Sequence, residues 1–195
     1  MRNLLRPTLS LLTLLALLTG IMYPVVVIGL AAAFFPAQAQ GSLVRRNGRV
    51  LGSALIGQYF DDPSYFWSRP SATGRLAYNA AASSGSNLGP SNPALKGAVR
   101  VRIEALRAAD PEARGAIPVD LVTASASGLD PHISPQAAYY QVHRVARARG
   151  LPEQILRAIV AQHIEGRTLG IVGEPVVNVL RLNLALDERQ GIANE

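Results

Sequence analysis

The chain has 195 residues, 49% of them hydrophobic and 6% aromatic, with 19 Lys and Arg against 13 Asp and Glu and a formal net charge of +6. It contains no cysteine, which excludes disulfides, thiolate metal sites and cysteine nucleophiles together. The basic residues are almost all arginine and form no polybasic run, which argues against a nucleic-acid partner and for a basic face near anionic lipid or an acidic partner.

No charged side chain occurs from Pro7 to Val44. Within that stretch Leu9 to Phe35 reads LSLLTLLALLTGIMYPVVVIGLAAAFF, long enough to cross a bilayer, which takes roughly 20 apolar residues. Its hydroxyl side chains can bond back to their own helix, and Pro24 predicts a kink in mid-span. A cleaved signal peptide would share the basic start (Arg2, Arg6) and a small-residue site such as Ala37–Ala39, but its apolar core runs only about 7–15 residues. The expectation is therefore an uncleaved anchor over 9–35, preceded by a cytoplasmic start at 1–8. Arg2 and Arg6 on one side nearly balance Arg45, Arg46 and Arg49 on the other, but basic residues directly before an N-terminal anchor favour leaving its start in the cytoplasm. The rest of the chain then lies outside. Gly29 and Ala33, small residues four apart on one face, are the kind of pair at which two membrane helices pack closely.

Residues 36–42 read as a polar linker before a soluble domain over 43–195. Asn47-Gly48 between two β-capable runs predicts a hairpin. The aromatic-rich FDDPSYFWSRPSATG predicts a short helical turn starting near Asp62-Pro63, and Ala82 to Pro93 reads as a loop. A helix follows, capped by Asn92 with Pro93 at its first position, carrying Leu95, Val99, Ile103 and Leu106 on one face and stopping at Asp110-Pro111. IPVDLV, residues 117–122, reads as a short strand. A second helix starts at Ser134-Pro135 and ends before Gly150, with Ala138, Val142 and Val145 inward and Arg144, Arg147 and Arg149 largely outward. A third runs from about Pro152 to Gly166 on an apolar side of Ile155, Ile159 and Val160. The tail over 176–186 alternates like a strand at Leu180, Leu182, Leu184 and Leu186, while Pro175 can open a helix. Both readings stay open, with helix preferred. Taken together, the soluble part is one mixed α+β domain.

SASGLDPHIS, Ser125 to Ser134, gathers two serines, an aspartate and a histidine, but Ser127, Asp130 and His132 are too close in sequence for a catalytic triad, and no G-x-S-x-G elbow is present. Asp130-Pro131 is turn chemistry and Ser134 before Pro135 is a helix cap. His132, His143 and His163 have no metal-ligand spacing, and His143 is expected on a helix surface. A P-loop needs a lysine in G-x-x-x-x-G-K-[ST]; the single lysine, Lys96, lies outside any such pattern. No aspartate is followed by lysine, as the phosphorylated aspartate of ion-pumping ATPases is. Neither a catalytic residue nor a metal site is expected.

Five stretches carry a family resemblance: GSALIGQYF (Gly52 to Phe60), YFWSRPSAT (Tyr65 to Thr73), SSGSNLGPSNPAL (Ser83 to Leu95), the run from Leu121 to Leu151, and GEPVVNVLRLNLALD (Gly173 to Asp187). In this order, behind a single N-terminal span, they resemble the C subunit of the Kdp-type potassium-transporting ATPase. Ala126 departs from the glycine that the family often has there. The resemblance implies an accessory subunit of a bacterial inner-membrane complex, needed for assembly and activity and docking on a channel-like A subunit and a P-type B subunit, with a small F subunit beside them. Under it, Gly29, Ala33, Arg144 and Arg147 are candidate partner contacts. The family is also described as a catalytic chaperone that binds ATP and raises the ATP affinity of the B subunit. That description implies a nucleotide site at Ser125, Ser127, Gly128 and Asp130, with Gln141 and Arg144 on the following helix, and ATP as ligand. An N-terminus in the cytoplasm leaves the domain in the periplasm, where ATP is scarce, so the structural role is preferred and no bound cofactor is expected.

Overall fold

A computed structural model describes residues 2–191; Met1 and the end of the expected domain, 192–195, lie outside the described residues. The chain divides into two units, one ending at Leu51 and one beginning at Gly52.

The first unit opens with α1 (Arg2–Leu17), passes through a π-helical turn at Leu18–Met22 and continues as α2 (Tyr23–Phe34). Its apolar span is Leu4–Phe34, 31 residues, with none of its most apolar stretch buried against protein. The helix reaches further back than 9–35, to Arg2, with Pro7 inside its first two turns, so the change in composition is not a stop. Thr8 and Thr19 donate to the carbonyls of Leu4 and Leu15, both at 2.7 Å, which satisfies their hydroxyls without leaving the helix. The π turn answers Pro24. Proline has no N–H and crowds the carbonyl four residues back, here Gly20, and the turn ahead of it widens so that the N–H of Tyr23 reaches Leu18, five residues back.

The linker begins as one helical turn, α3 (Pro36–Ala39), and leads to a hairpin of β1 (Leu43–Arg46) and β2 (Arg49–Ser53). Asn47 and Gly48 have φ of 48° and 77°, the paired positive values that a two-residue hairpin turn requires.

The second unit packs four helices, α4 (Pro93–Ala109), α5 (Pro135–Arg149), α6 (Glu153–Gln162) and α7 (Val179–Gln190), with a small antiparallel sheet. The sheet has β5 (Val176–Asn178) between β3 (His132–Ile133) and β4 (Ile164–Glu165), in a register that sets Val177 opposite both Ile133 and Ile164. This is the expected α+β class, with helices supplying most of the core. α5 is central: Ala137, Ala138, Val142 and Val145 are fully buried against Phe66, Leu156, Val160, Leu182 and Leu186. Asn92, Ser134 and Asn178 cap α4, α5 and α7 by accepting from Ala94, Ala137 and Arg181 at 2.9–3.1 Å.

Several expectations are corrected. The segment 117–122 is no strand; Val119–Leu121 forms a 3-10 turn, because Thr123 closes it by donating its N–H and hydroxyl to Val119 at 2.9 and 2.7 Å. Asp62-Pro63, by contrast, makes the expected short turn, closed by the N–H of Tyr65 on the Asp62 carbonyl at 3.1 Å and by Asp62 accepting from the N–H and hydroxyl of Ser64. α6 stops at Gln162 because the next residues are drawn into the sheet as β4. The ambiguous tail is both things in succession: β5 over Val176–Asn178, then α7.

Candidate functional site

The loop Ser125–Ser134 is held from several directions. Within it, Ser127 Oγ accepts from the N–H of Leu129 at 3.1 Å and Asp130 Oδ1 accepts from that of His132 at 3.0 Å. From outside, Ser71 donates to the Gly128 carbonyl at 2.7 Å, Ser83 to that of Ser127 at 3.0 Å, and the N–H of Gly57 to that of Leu129 at 2.8 Å. Arg69 ties the ends, donating to Asp130 Oδ2 at 3.2 Å and to the Ala124 carbonyl at 3.4 Å. Burial raises the Asp130 pKa, but the hydrogen bonds from His132 and the charges of Arg69 and His132 outweigh it and hold the carboxyl below its ordinary value. Gly128 sits at φ +68°, and a Cβ there would lie 2.5 Å from Thr73 Cγ2 and 2.6 Å from the Ser84 carbonyl oxygen. Over the loop lies an open depression of about 450 Å³, lined by Arg69, Ser125, Ser127 and Asp130 among others. Its one cation is already paired with its one carboxylate. His132 Nδ1 stands 3.4 Å from Asp130, while Ser127 serves the loop backbone.

Gln141 and Arg144 do different work. Gln141 is 1% exposed. Its Oε1 accepts from the N–H of Trp67 at 2.7 Å, and its Nε2 donates to the carbonyls of Trp67 and Ala137, both at 3.2 Å. One residue earlier Asn183 repeats the device, accepting from the N–H of Phe66 at 2.8 Å and donating to its carbonyl at 3.0 Å. Two carboxamides thus take the place of neighbouring strands for a buried extended segment, whose backbone groups would otherwise be unpaired. Arg144, 3% exposed, donates to the carbonyls of Pro63 and Tyr65 and to Gln141, at 2.6, 3.0 and 2.6 Å, and lies over the Trp67 ring. Burial pushes its guanidinium down to about 10, against the pull of Asp110 and Asp62. It stays charged at neutral pH.

Arg149 clamps the same segment. It donates to the carbonyl of Ser64 at 2.6 Å and to Asp187 and Gln190 at 2.8 Å, and lies 4.7 Å from the centre of the Tyr65 ring. The expected outward direction of the three arginines is corrected for two of them: Arg144 and Arg149 point inward because the 63–65 carbonyls and two aromatic rings receive them. Arg147 remains half exposed, 4.0 Å from Asp110. His143 is not simply on the surface, since its Nδ1 reaches both oxygens of buried Asp110 at 2.9 Å.

The residues of the candidate nucleotide site therefore fall into two sets. Ser127, Gly128 and Asp130 bond segments 69–71 and 83 or their own loop, Ser125 takes the Pro70 carbonyl at 3.4 Å, and Gln141 and Arg144 bond segment 63–67. Gly29 and Ala33 lie on α2 in the first unit, with nothing near the Cα of Gly29 that a Cβ would meet. Among the described residues no group of three or more His, Asp or Glu side chains is arranged to hold a metal ion. Asn183 and Arg149 were missed as partners of the aromatic segment. The signal available was polar residues placed inside apolar helical stripes: Gln141 follows Ala137 and Ala138 at four- and three-residue spacing and Arg144 follows Gln141 by three, as Asn183 follows Val179 by four.

A family model described as K+-transporting ATPase, c chain (KdpC), matches residues 5–188. Among curated relatives, the potassium-transporting ATPase KdpC subunit of Sorangium cellulosum is 64% identical over 94% of this chain and 96% of its own. Those of Polaromonas naphthalenivorans and Herpetosiphon aurantiacus are 64% and 60% identical, each over 96% of this chain and over 95% and 97% of their own.

Proposed function

The chain belongs to the KdpC family, a component of potassium-transporting ATPase complexes, and from that premise we propose that it is the complex's accessory subunit without chemistry of its own. It is anchored in the bacterial inner membrane by the span Leu4–Phe34, with its start in the cytoplasm and the unit from Gly52 onward in the periplasm. There it docks on the ion-conducting A subunit and supports assembly with the ATP-hydrolysing B and the small F subunits. The observation that carries this reading is the internal use of Gln141 and Arg144. Both are buried, and their polar atoms hold the 63–67 backbone, so a triphosphate would have to break the fold to reach them. The depression over the loop 125–134 is lined by a carboxylate and a neutralised arginine, which suits a polyanion poorly.

Absence of cysteine makes the placement directly measurable. Ala158 is exposed on α6, and in an Ala158→Cys chain it offers a single thiol to a membrane-impermeant maleimide. In cells with a permeabilised outer membrane and an intact inner membrane, rapid labelling is expected. Protection that ends only when the inner membrane is lysed would place the unit beside ATP and turn the case to the nucleotide-chaperone role.

A further inference from the structure

The first unit is charged in one sense only. No Asp or Glu occurs before Asp61, so the charged side chains of residues 2–51 are Arg2, Arg6, Arg45, Arg46 and Arg49. The last three stand in the hairpin of β1 and β2, on both sides of its tip. Arg45 and Arg49 are exposed and enter no ion pair among the described residues. Leu43, Val50 and Leu51 are exposed beside them. The hairpin also lies close to the end of the apolar helix. The N–H groups of Gly41 and Ser42 return to the carbonyls of Gln38 and Ala37 at 3.0 and 2.8 Å, so the chain turns as α3 ends and β1 starts at once. α3 has four residues and lifts the chain by at most about 6 Å, which is roughly one headgroup layer. The apolar span of 31 residues is about 46 Å long as a helix, against a hydrocarbon core of roughly 30 Å. In a bilayer its end at Phe34 and Phe35 therefore reaches the headgroups.

We propose that the β1–β2 hairpin binds the headgroups of anionic phospholipids at the C-terminal end of the anchor, through Arg45 and Arg49. The proposal rests on the anchored-subunit reading above and adds the lipid class that the anchor selects. A guanidinium fork matches a phosphate with two parallel hydrogen bonds, and no carboxylate in this unit competes for either arginine. Zwitterionic lipid fits less well, since each of its phosphates already carries an ammonium on the same headgroup. Free phosphate would use the arginines but gain nothing from Leu43 and Val50, whereas arginines interleaved with apolar side chains are the composition of segments that lie at a bilayer surface. An acidic protein surface would have to displace the headgroups that the short linker already sets beside the hairpin.

The test uses the full chain in nanodiscs of phosphatidylcholine mixed with phosphatidylglycerol. Lipids that stay on the chain after release from the disc are counted by native mass spectrometry. Phosphatidylglycerol should be retained in preference, and the preference should shrink as salt is added. In the double variant Arg45→Gln, Arg49→Gln it should fall by roughly fivefold for each arginine removed. Both positions are exposed, so the variant should melt with wild type. Location is read separately from a fluorophore on Val50→Cys, single because the chain has no cysteine, which a headgroup nitroxide should quench in the disc. Equal retention of the two lipids, or a preference that the double variant keeps, would sink the headgroup site while leaving the anchor standing. Displacement of the lipid by inorganic phosphate would make it a free-anion site and overturn the proposal. So would a label screened from the nitroxide once the other transport subunits are present, since the arginines would then face protein. A chain that alkaline carbonate strips from the bilayer would remove the anchor as well.

Discussion

The guanidinium of Arg144 lies 4.3 Å from the centre of the Trp67 ring while its N–H groups hold the carbonyls of Pro63 and Tyr65 in the same segment. One side chain thus grips the aromatic segment by its backbone and by its face at once. Three donors in fixed directions and a flat cation are needed for this, and only arginine supplies both.

Arg144→Lys should therefore behave as a severe change. The ammonium cannot span two carbonyls and Gln141 together or stack on the indole, and the expected loss is about 2–3 kcal/mol. Trp67 is the chain's single tryptophan, so its emission reports this contact directly. A red shift in the folded variant is expected together with a lower urea midpoint. An unshifted spectrum would mean that the stack contributes little.

Asn183→Leu leaves the N–H and carbonyl of Phe66 buried without partners. Each such group costs about 1–3 kcal/mol, and the variant should unfold at markedly lower denaturant concentration with an unchanged slope. Gln141→Leu should be at least as costly, because it also strips Arg144 of an acceptor. Near-wild-type midpoints for both would show that water replaces the carboxamides.

Gly128→Ala brings a methyl group to within 2.6 Å of the Ser84 carbonyl oxygen at a residue with positive φ. Overpacking and backbone strain together predict a loss of about 2–4 kcal/mol. Gly150→Ala is the control. It shares the left-handed conformation at the end of α5, but a Cβ there meets nothing within 4 Å, and roughly 1 kcal/mol is expected. Equal losses in the two variants would assign the whole effect to backbone conformation.

Asp130 gives the loop an acid limit. Its folded carboxyl titrates below the ordinary 3.8, so the folded state binds fewer protons than the unfolded state in that range. The stabilisation is complete above about pH 4 and is lost as pH falls through the folded value. Urea unfolding of Asp130→Asn should show lower stability at neutral pH and a shallower decline on acidification. Parallel declines for the two proteins would remove Asp130 from the loop's acid sensitivity.

What could be read from the chain follows the range of the interactions involved. Asn47-Gly48, Asn92, Ser134 and the start of α5 act within four residues, and each lies where local chemistry puts it. The shape of the loop 125–134 was legible for the same reason, through Asp130-Pro131 and the serine cap. Its restraints were not, since Ser71, Ser83, Arg69 and Gly57 approach from remote sequence. Arg144 and Arg149 read as solvent-facing because charged side chains usually are. Their inward direction depends on carbonyls 79–85 residues away. The tail divided between strand and helix because Val177 completes a sheet whose other members, Ile133 and Ile164, come from distant segments.

The π turn at Leu18–Met22 also sets the phase of the apolar span Leu4–Phe34. One extra residue in a turn rotates everything after it by about 100° relative to an uninterrupted helix. The face marked by Gly29 and Ala33 is consequently out of step with any stripe counted in threes and fours from α1. A neighbouring helix that follows the small residues along α2 meets a different side of the span once it passes Met22. The two halves of the helix therefore present different sides along any one straight line.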